Sequence, residues 1–144
     1  MIESDTIKLL RECDAGVEMG VSAIDDVLPS TSGAGLKRLL KDSKAEHERL
    51  DLQIQELLDR YRDDGKAPNP LAKGMSWVKT NVKLAADESD KTIADLMTDG
   101  CNMGIKSLNR YLNQYEAADE RSKDIAKQLI HIEERLISDI KMYL

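Results

Sequence analysis

The chain has 144 residues, of which 21 are Lys or Arg and 27 are Asp or Glu, giving a net charge of −6. That length suffices for one domain whose core needs no disulfide or metal, and residues 1–144 are read as a single domain. Aromatic residues make up 3%, Phe is absent and Pro occurs three times. This argues against a β-sandwich and for amphipathic helices with charged outer faces. The acidic balance excludes a broad basic surface for nucleic acid.

The opening Met1-Ile2-Glu3-Ser4-Asp5 has neither the cationic start nor the apolar run of a signal peptide. No stretch approaches the ~18 apolar residues of a membrane-spanning helix. The expectation is a cytoplasmic protein with no membrane contact. Cys13 and Cys101 show no C-x-x-C spacing. They read as two reduced thiols serving as small apolar residues, with a redox pair as the alternative.

In chain order, the first helical pattern runs from about Asp5 to Leu28. Ile7, Leu10, Val17, Val21, Ile24 and Leu28 form its stripe, and Ser4 or Asp5 is the N-cap. The second runs from about Ser32 to Asp64 through Leu36, Leu40, Leu50, Ile54, Leu57 and Tyr61, with Gly65 as C-terminal cap. Asn69 and Pro70 open a short third helix to about Ala86, which Trp77 docks on the rest. Ser89 caps a fourth to about Ala117, with Ile93, Met97, Gly104, Leu108, Tyr111 and Tyr115 inward. The last spans about 119–143 through Ile125, Leu129, Ile132, Leu136, Ile140 and Tyr143. Neither Gly nor Pro separates the last two, so one continuous helix is the alternative.

Four of these helices would be roughly 35–50 Å long at ~1.5 Å per residue, and the third about half that. The stretch from Gly65 to Ser89 is far longer than a turn, which favours two antiparallel hairpins joined by a long crossover. An internal echo agrees. Gly16-Val17-Glu18-Met19-Gly20-Val21 matches Gly100-Cys101-Asn102-Met103-Gly104-Ile105 at an offset of 84, and Glu48-Arg49-Leu50 matches Glu134-Arg135-Leu136 at an offset of 86. A duplicated helix pair accounts for both.

Three segments carry a family resemblance: residues 43–50 (SKAEHERL), residues 74–79 (GMSWVK) and residues 99–108 (DGCNMGIKSL). With the pattern of the whole chain, they make it resemble the small bacterial ferritin-like domains of the ferritin-like superfamily. The resemblance implies an all-α, antiparallel four-helix bundle with a long crossover carrying a short fifth helix. It also implies a di-iron site built from one Glu on each of two helices and a Glu-x-x-His on each of the other two.

That constellation is incomplete in this chain. Carried over from the family, Glu18 is the nearest match for the first-helix ligand, with Asp14 as substitute. His47 falls within the second stripe and Glu46 borders it, but Lys44 stands where the motif needs Glu. Gly100, Cys101 and Gly104 occupy the inward row where the fourth helix needs a carboxylate, and Asp99 points away from it. On the last helix Gln128-x-x-His131 echoes the motif, yet His131 faces outward and Glu133 is the inward polar residue. The candidate cluster is Asp14, Glu18, Glu46, His47 and Glu133, open to iron, manganese or zinc. The bland counterpart makes His47 a core-edge histidine bonded to a carboxylate and the acids solvated flank residues.

Each helical Gly costs about 1 kcal/mol relative to Ala, so Gly16, Gly20, Gly100 and Gly104 need an offsetting gain. Close helix–helix approach is the favoured source, and a ligand cavity beside Gly100 and Gly104 is the alternative. Met19, Leu52 and Met103 lie off the buried stripes and suggest a seam between copies. Lys37, Arg38, Lys41 and Lys44 form a solvated basic face. Ser32-Gly33-Ala34-Gly35-Leu36 lacks the strand and the following Lys-Ser/Thr of a phosphate loop.

The functional expectation is a ferritin-like bundle with a degenerate di-iron site. It acts as a non-catalytic binding or assembly module, self-associating as a homodimer or meeting a protein partner, with no cofactor required. The rival is a divergent iron/manganese oxidase-like or metal-storage protein.

Overall fold

A computed structural model describes residues 4–61, 87 and 89–144. Among these the elements are all helical, with no strand. Helix α1 is Ser4–Val27, followed by a 3-10 turn at Leu28–Ser30; α2 is Ala34–Arg60; α3 is Asp90–Gln114; α4 is Glu120–Ile140, ending in a 3-10 turn at Lys141–Tyr143. None of these helices is long and apolar enough to cross a membrane. The expected helix at 70–86, the caps at Gly65 and Asn69, and Trp77 lie outside the described residues.

The break between α1 and α2 has local causes. Pro29 cannot continue the α1 ladder, and the Thr31 hydroxyl donates to the Val27 carbonyl at 2.8 Å. The Asp90 carboxylate then accepts the amides of Ser32 and Gly33, each at 2.8 Å. Gly33 is the extended N-cap of α2, with φ −74° and ψ 131°, so the helix starts at Ala34 rather than Ser32 and the carboxylate takes amides that no helix carbonyl could accept. A Cβ at Gly33 would lie 2.7 Å from Asp90 Oδ2. The close approach of that carboxylate therefore requires glycine.

The break between α3 and α4 is made by caps instead of by Gly or Pro. Asp119 accepts the Ser122 amide at 2.8 Å as the α4 N-cap, while its own amide donates to Thr6 Oγ1 at 2.8 Å. The Ala117 amide donates to Asp5 Oδ2 at 3.0 Å. Asp5, a candidate N-cap, lies inside α1 and serves this loop. Ser89 caps α3 as expected, accepting the Thr92 amide at 3.2 Å.

Two apolar clusters make the core. One joins the start of α1 (Leu9, Leu10), the end of α2 (Leu57, Leu58), the end of α3 (Leu108) and the start of α4 (Ile125). The other joins the end of α1 (Ile24, Val27), the start of α2 (Leu36, Leu40), the start of α3 (Ile93, Leu96) and the end of α4 (Ile140). Hence α1/α2 and α3/α4 are antiparallel pairs, and α2 and α3 run the same way. Helix α1 packs on α2, α3 and α4, and α4 also packs on α2 and α3. The burial of apolar stripes on all four helices is the main stabilising term.

Candidate functional site

Between the two clusters the core changes character. His47 follows Leu40 and precedes Leu50 on α2; Glu133 lies between Leu129 and Leu136 on α4. The apolar neighbours belong to opposite clusters, so the two polar residues mark the level at which the clusters part. His47 is 2% exposed and Glu133 7%. Both line a cavity of about 190 Å³ whose walls are the facing surfaces of α1 and α3.

The glycines create this level. A Cβ on Gly20 would lie 2.8 Å from His47 Nε2 and 3.0 Å from its Cδ2. A Cβ on Gly104 would lie 2.6 Å from Glu133 Oε2. The favoured expectation of backbone-to-backbone approach is corrected here: what each glycine receives is a side chain from the neighbouring antiparallel helix. Gly16 meets Leu129 Cδ2 at 3.4 Å, an ordinary contact. The alternative, a cavity beside Gly100 and Gly104, matches the geometry. The repeat also gains a structural meaning, since Gly20 and Gly104 differ by 84, His47 and Glu133 by 86, and each pair plays the same part.

The imidazole is fixed in one hydrogen-bonding state. Its Nδ1–H donates to the Ser43 carbonyl at 2.8 Å, so in the neutral ring Nε2 carries the lone pair and can only accept. Burial holds the His47 pKa below its ordinary value, against smaller opposing effects of the Ser43 carbonyl and Glu46. The partner is thus a backbone carbonyl, not the carboxylate that the sequence suggests. Burial also pushes the Glu133 carboxyl up to about 8, so it holds its proton at neutral pH. Among the described residues, His47 Nε2 and Glu133 Oε2 are both buried without a hydrogen-bond partner. Such groups cost about 1–3 kcal/mol each, and both belong to side chains that line the same cavity.

The rest of the lining is mostly apolar. Ala15 and Ile24 come from α1, Leu96, Met97 and Leu108 from α3, and Leu136 from α4. Met19 and Met103, 40% and 53% exposed, also line it and sit at matched positions of the repeat. Leu52, which the sequence grouped with them, is 72% exposed and is not part of the lining.

The five candidate residues fall in three places. His47 and Glu133 share the cavity. Asp14 is 4% exposed on α1 and accepts from Gln55 Nε2 at 2.6 Å. Its pKa is raised by burial first and then by Glu18 and Asp51, with Gln55 opposing. Asp14, Glu18, Asp51 and Gln55 thus form a separate acidic patch along the α1–α2 seam. Glu46 is on the far side of α2, bonded to Arg135 at 2.8 Å in a groove against α4 that His131 also lines. Among the described residues no group of three or more His, Cys, Asp or Glu is placed to hold a metal ion. The donor set lining the cavity, the His47 imidazole, the Glu12 and Glu133 carboxyls and the Cys101 thiol, does not match the di-iron constellation that the resemblance implies.

Sequence reasoning missed Asp51 and Gln55. Their i, i+4 spacing on the α2 face beside the buried stripe is the signal that could have found them. The thiols of Cys13 and Cys101 are free and buried, one in each cluster. Burial raises both pKa values, that of Cys13 to about 12. Cys101 contributes to the cavity wall. The fold and site define a helical bundle with a small, mostly apolar chamber that holds two buried polar side chains and is bordered by exposed Met19 and Met103. No protein-family model matches the chain, and no curated protein or solved structure matches it either.

Proposed function

We propose that this chain is a non-catalytic binding module, a ferritin-like bundle with a degenerate di-iron site whose chamber takes a small molecule. The observation that carries the reading is the pair of unpartnered buried polar atoms, on His47 and Glu133, at an apolar cavity. Ligand pockets combine mostly apolar walls with a few polar groups that fix orientation. The size is appropriate, since an engineered apolar cavity of about 150 Å³ holds benzene. In this reading exposed Leu52 and Met103 supply apolar surface for self-association.

Methionine methyl groups give a direct test. Of the six methionines, Met19, Met97 and Met103 line the chamber, whereas Met142 is 79% exposed in the C-terminal turn and is not part of the lining. With 13C-methyl methionine, titration with benzyl alcohol or toluene should shift the first three resonances and leave Met142 in place. No shift at saturating probe would overturn the proposal.

The second reading, a divergent iron or manganese protein, draws on the same bare imidazole lone pair. Titration with Fe(II), Mn(II) and Zn(II) decides it: tight, near-stoichiometric binding that His47→Ala abolishes would replace the first reading.

A further inference from the structure

The chamber's chemistry narrows what it accepts. We infer that the ligand is a small organic cation, a protonated amine on an apolar body about the size of one aromatic ring. Its ammonium pairs with Glu133, and His47 Nε2 accepts a second donor from the same molecule. This rests on the binding-module reading and names its ligand class.

Three observations converge. First, among the described residues the charged side chains lining the chamber are Glu12 and Glu133, and no Lys or Arg contributes to it. An anionic ligand would meet acids and no cation. Second, the ring of His47 is committed to accepting at Nε2, because its other nitrogen donates to Ser43. A carboxylate or phosphate ligand would set acceptor against acceptor there, whereas an ammonium has three donors and no acceptor. Third, the walls carry the thioethers of Met19, Met97 and Met103 and the ring of Tyr111. Polarizable sulfur and an aromatic face suit an arylalkyl or alkyl ammonium. Both side chains are more than nine-tenths buried, and their two polar atoms lack partners among the described residues, so a ligand gains their hydrogen bonds without breaking existing ones.

The test uses four probes of nearly one shape: benzylamine, benzyl alcohol, toluene and benzoate. Binding is read on the methionine methyls and by calorimetry at pH 8. Benzylamine should bind at least about tenfold more tightly than benzyl alcohol, as one charge-assisted bond in a buried site warrants. Toluene should be weaker, and benzoate should not bind. Glu133→Gln keeps the shape and removes the charge, so it should bring benzylamine down to the alcohol's affinity while leaving alcohol and toluene unchanged.

If alcohol and toluene shift the three methyls and the amine binds no better, the cation inference fails and the binding module stands. If no probe shifts them, both fail. Amine binding undiminished in Glu133→Gln would place the ammonium on the acidic surface and overturn the inference. The wild-type panel decides the outcome even where the variant is poorly folded.

Discussion

Glu133 should make stability depend on pH in a direction opposite to that of an ordinary surface acid. Burial raises its pKa from 4.5 to about 8. Between those values the folded protein holds a proton that the unfolded chain has released, so stability falls as pH rises, and the loss is complete above 8. The shift of 8 − 4.5 at about 1.4 kcal/mol per unit sets a ceiling of about 5 kcal/mol on the effect. Water entering the chamber solvates the carboxylate and brings the figure below that ceiling. Glu133→Gln does not titrate, and any cost of burying its amide is the same at every pH. The assay is urea unfolding of both proteins at intervals from pH 4 to pH 9. The variant's stability minus the wild type's should climb by at least about 2 kcal/mol between pH 5 and pH 8.5. The contributions of Asp14 and His47, present in both proteins, cancel in that difference. A flat difference would mean that Glu133 is solvated, and would refute the assignment of a dry carboxyl.

The glycines supply a paired prediction. Gly20→Ala drives a Cβ into an imidazole pinned by Ser43 and should lose about 1–3 kcal/mol in chemical denaturation. Gly16→Ala meets only Leu129 at 3.4 Å and should gain up to about 1 kcal/mol; equal effects would refute the packing account. Asp90→Ala removes acceptors for two backbone amides and should cost about 1–3 kcal/mol, with faster amide exchange at Ser32 and Gly33. The double variant His47→Leu/Glu133→Leu should unfold at higher temperature than the wild type and lose the probe-induced methionine shifts. A lower melting temperature would show that the polar pair supports the fold instead of burdening it.

How much was legible in the sequence follows from what kind of signal each feature leaves. Stripes such as Leu36, Leu40, Leu50, Ile54 and Leu57 repeat every three to four residues, and the four described helices follow them. Ends were less legible wherever the deciding contact is remote in sequence. Nothing near Ser32 announces that Asp90, 58 residues away, takes its amide. Asp5 likewise resembles a cap by position, yet it serves a loop 112 residues later. Within the candidate site, His47 and Glu133 were visible because each interrupts an apolar stripe. The separation of Asp14 and Glu46 from them was not visible, since helical angles give a face but not the partner across it. Gln55 and Arg135 decide where those acids go.

The repeat explains why the glycine cost is tolerated at one level of the bundle. Two helical glycines, Gly20 and Gly104, together cost about 2 kcal/mol, and two unpartnered buried polar atoms add a comparable or larger burden. Selection for stability alone would replace all four with Ala and Leu. Their concentration at the boundary between two otherwise apolar clusters, in matched positions of both hairpins, is what a retained site produces. The halves differ at the polar position itself. One presents an imidazole that can only accept, and the other presents an acid that burial keeps protonated until a cation arrives. A symmetric pair of imidazoles or carboxyls would give the chamber equivalent ends; His47 against Glu133 gives it a direction. A ligand with one charged end then has a single favourable orientation.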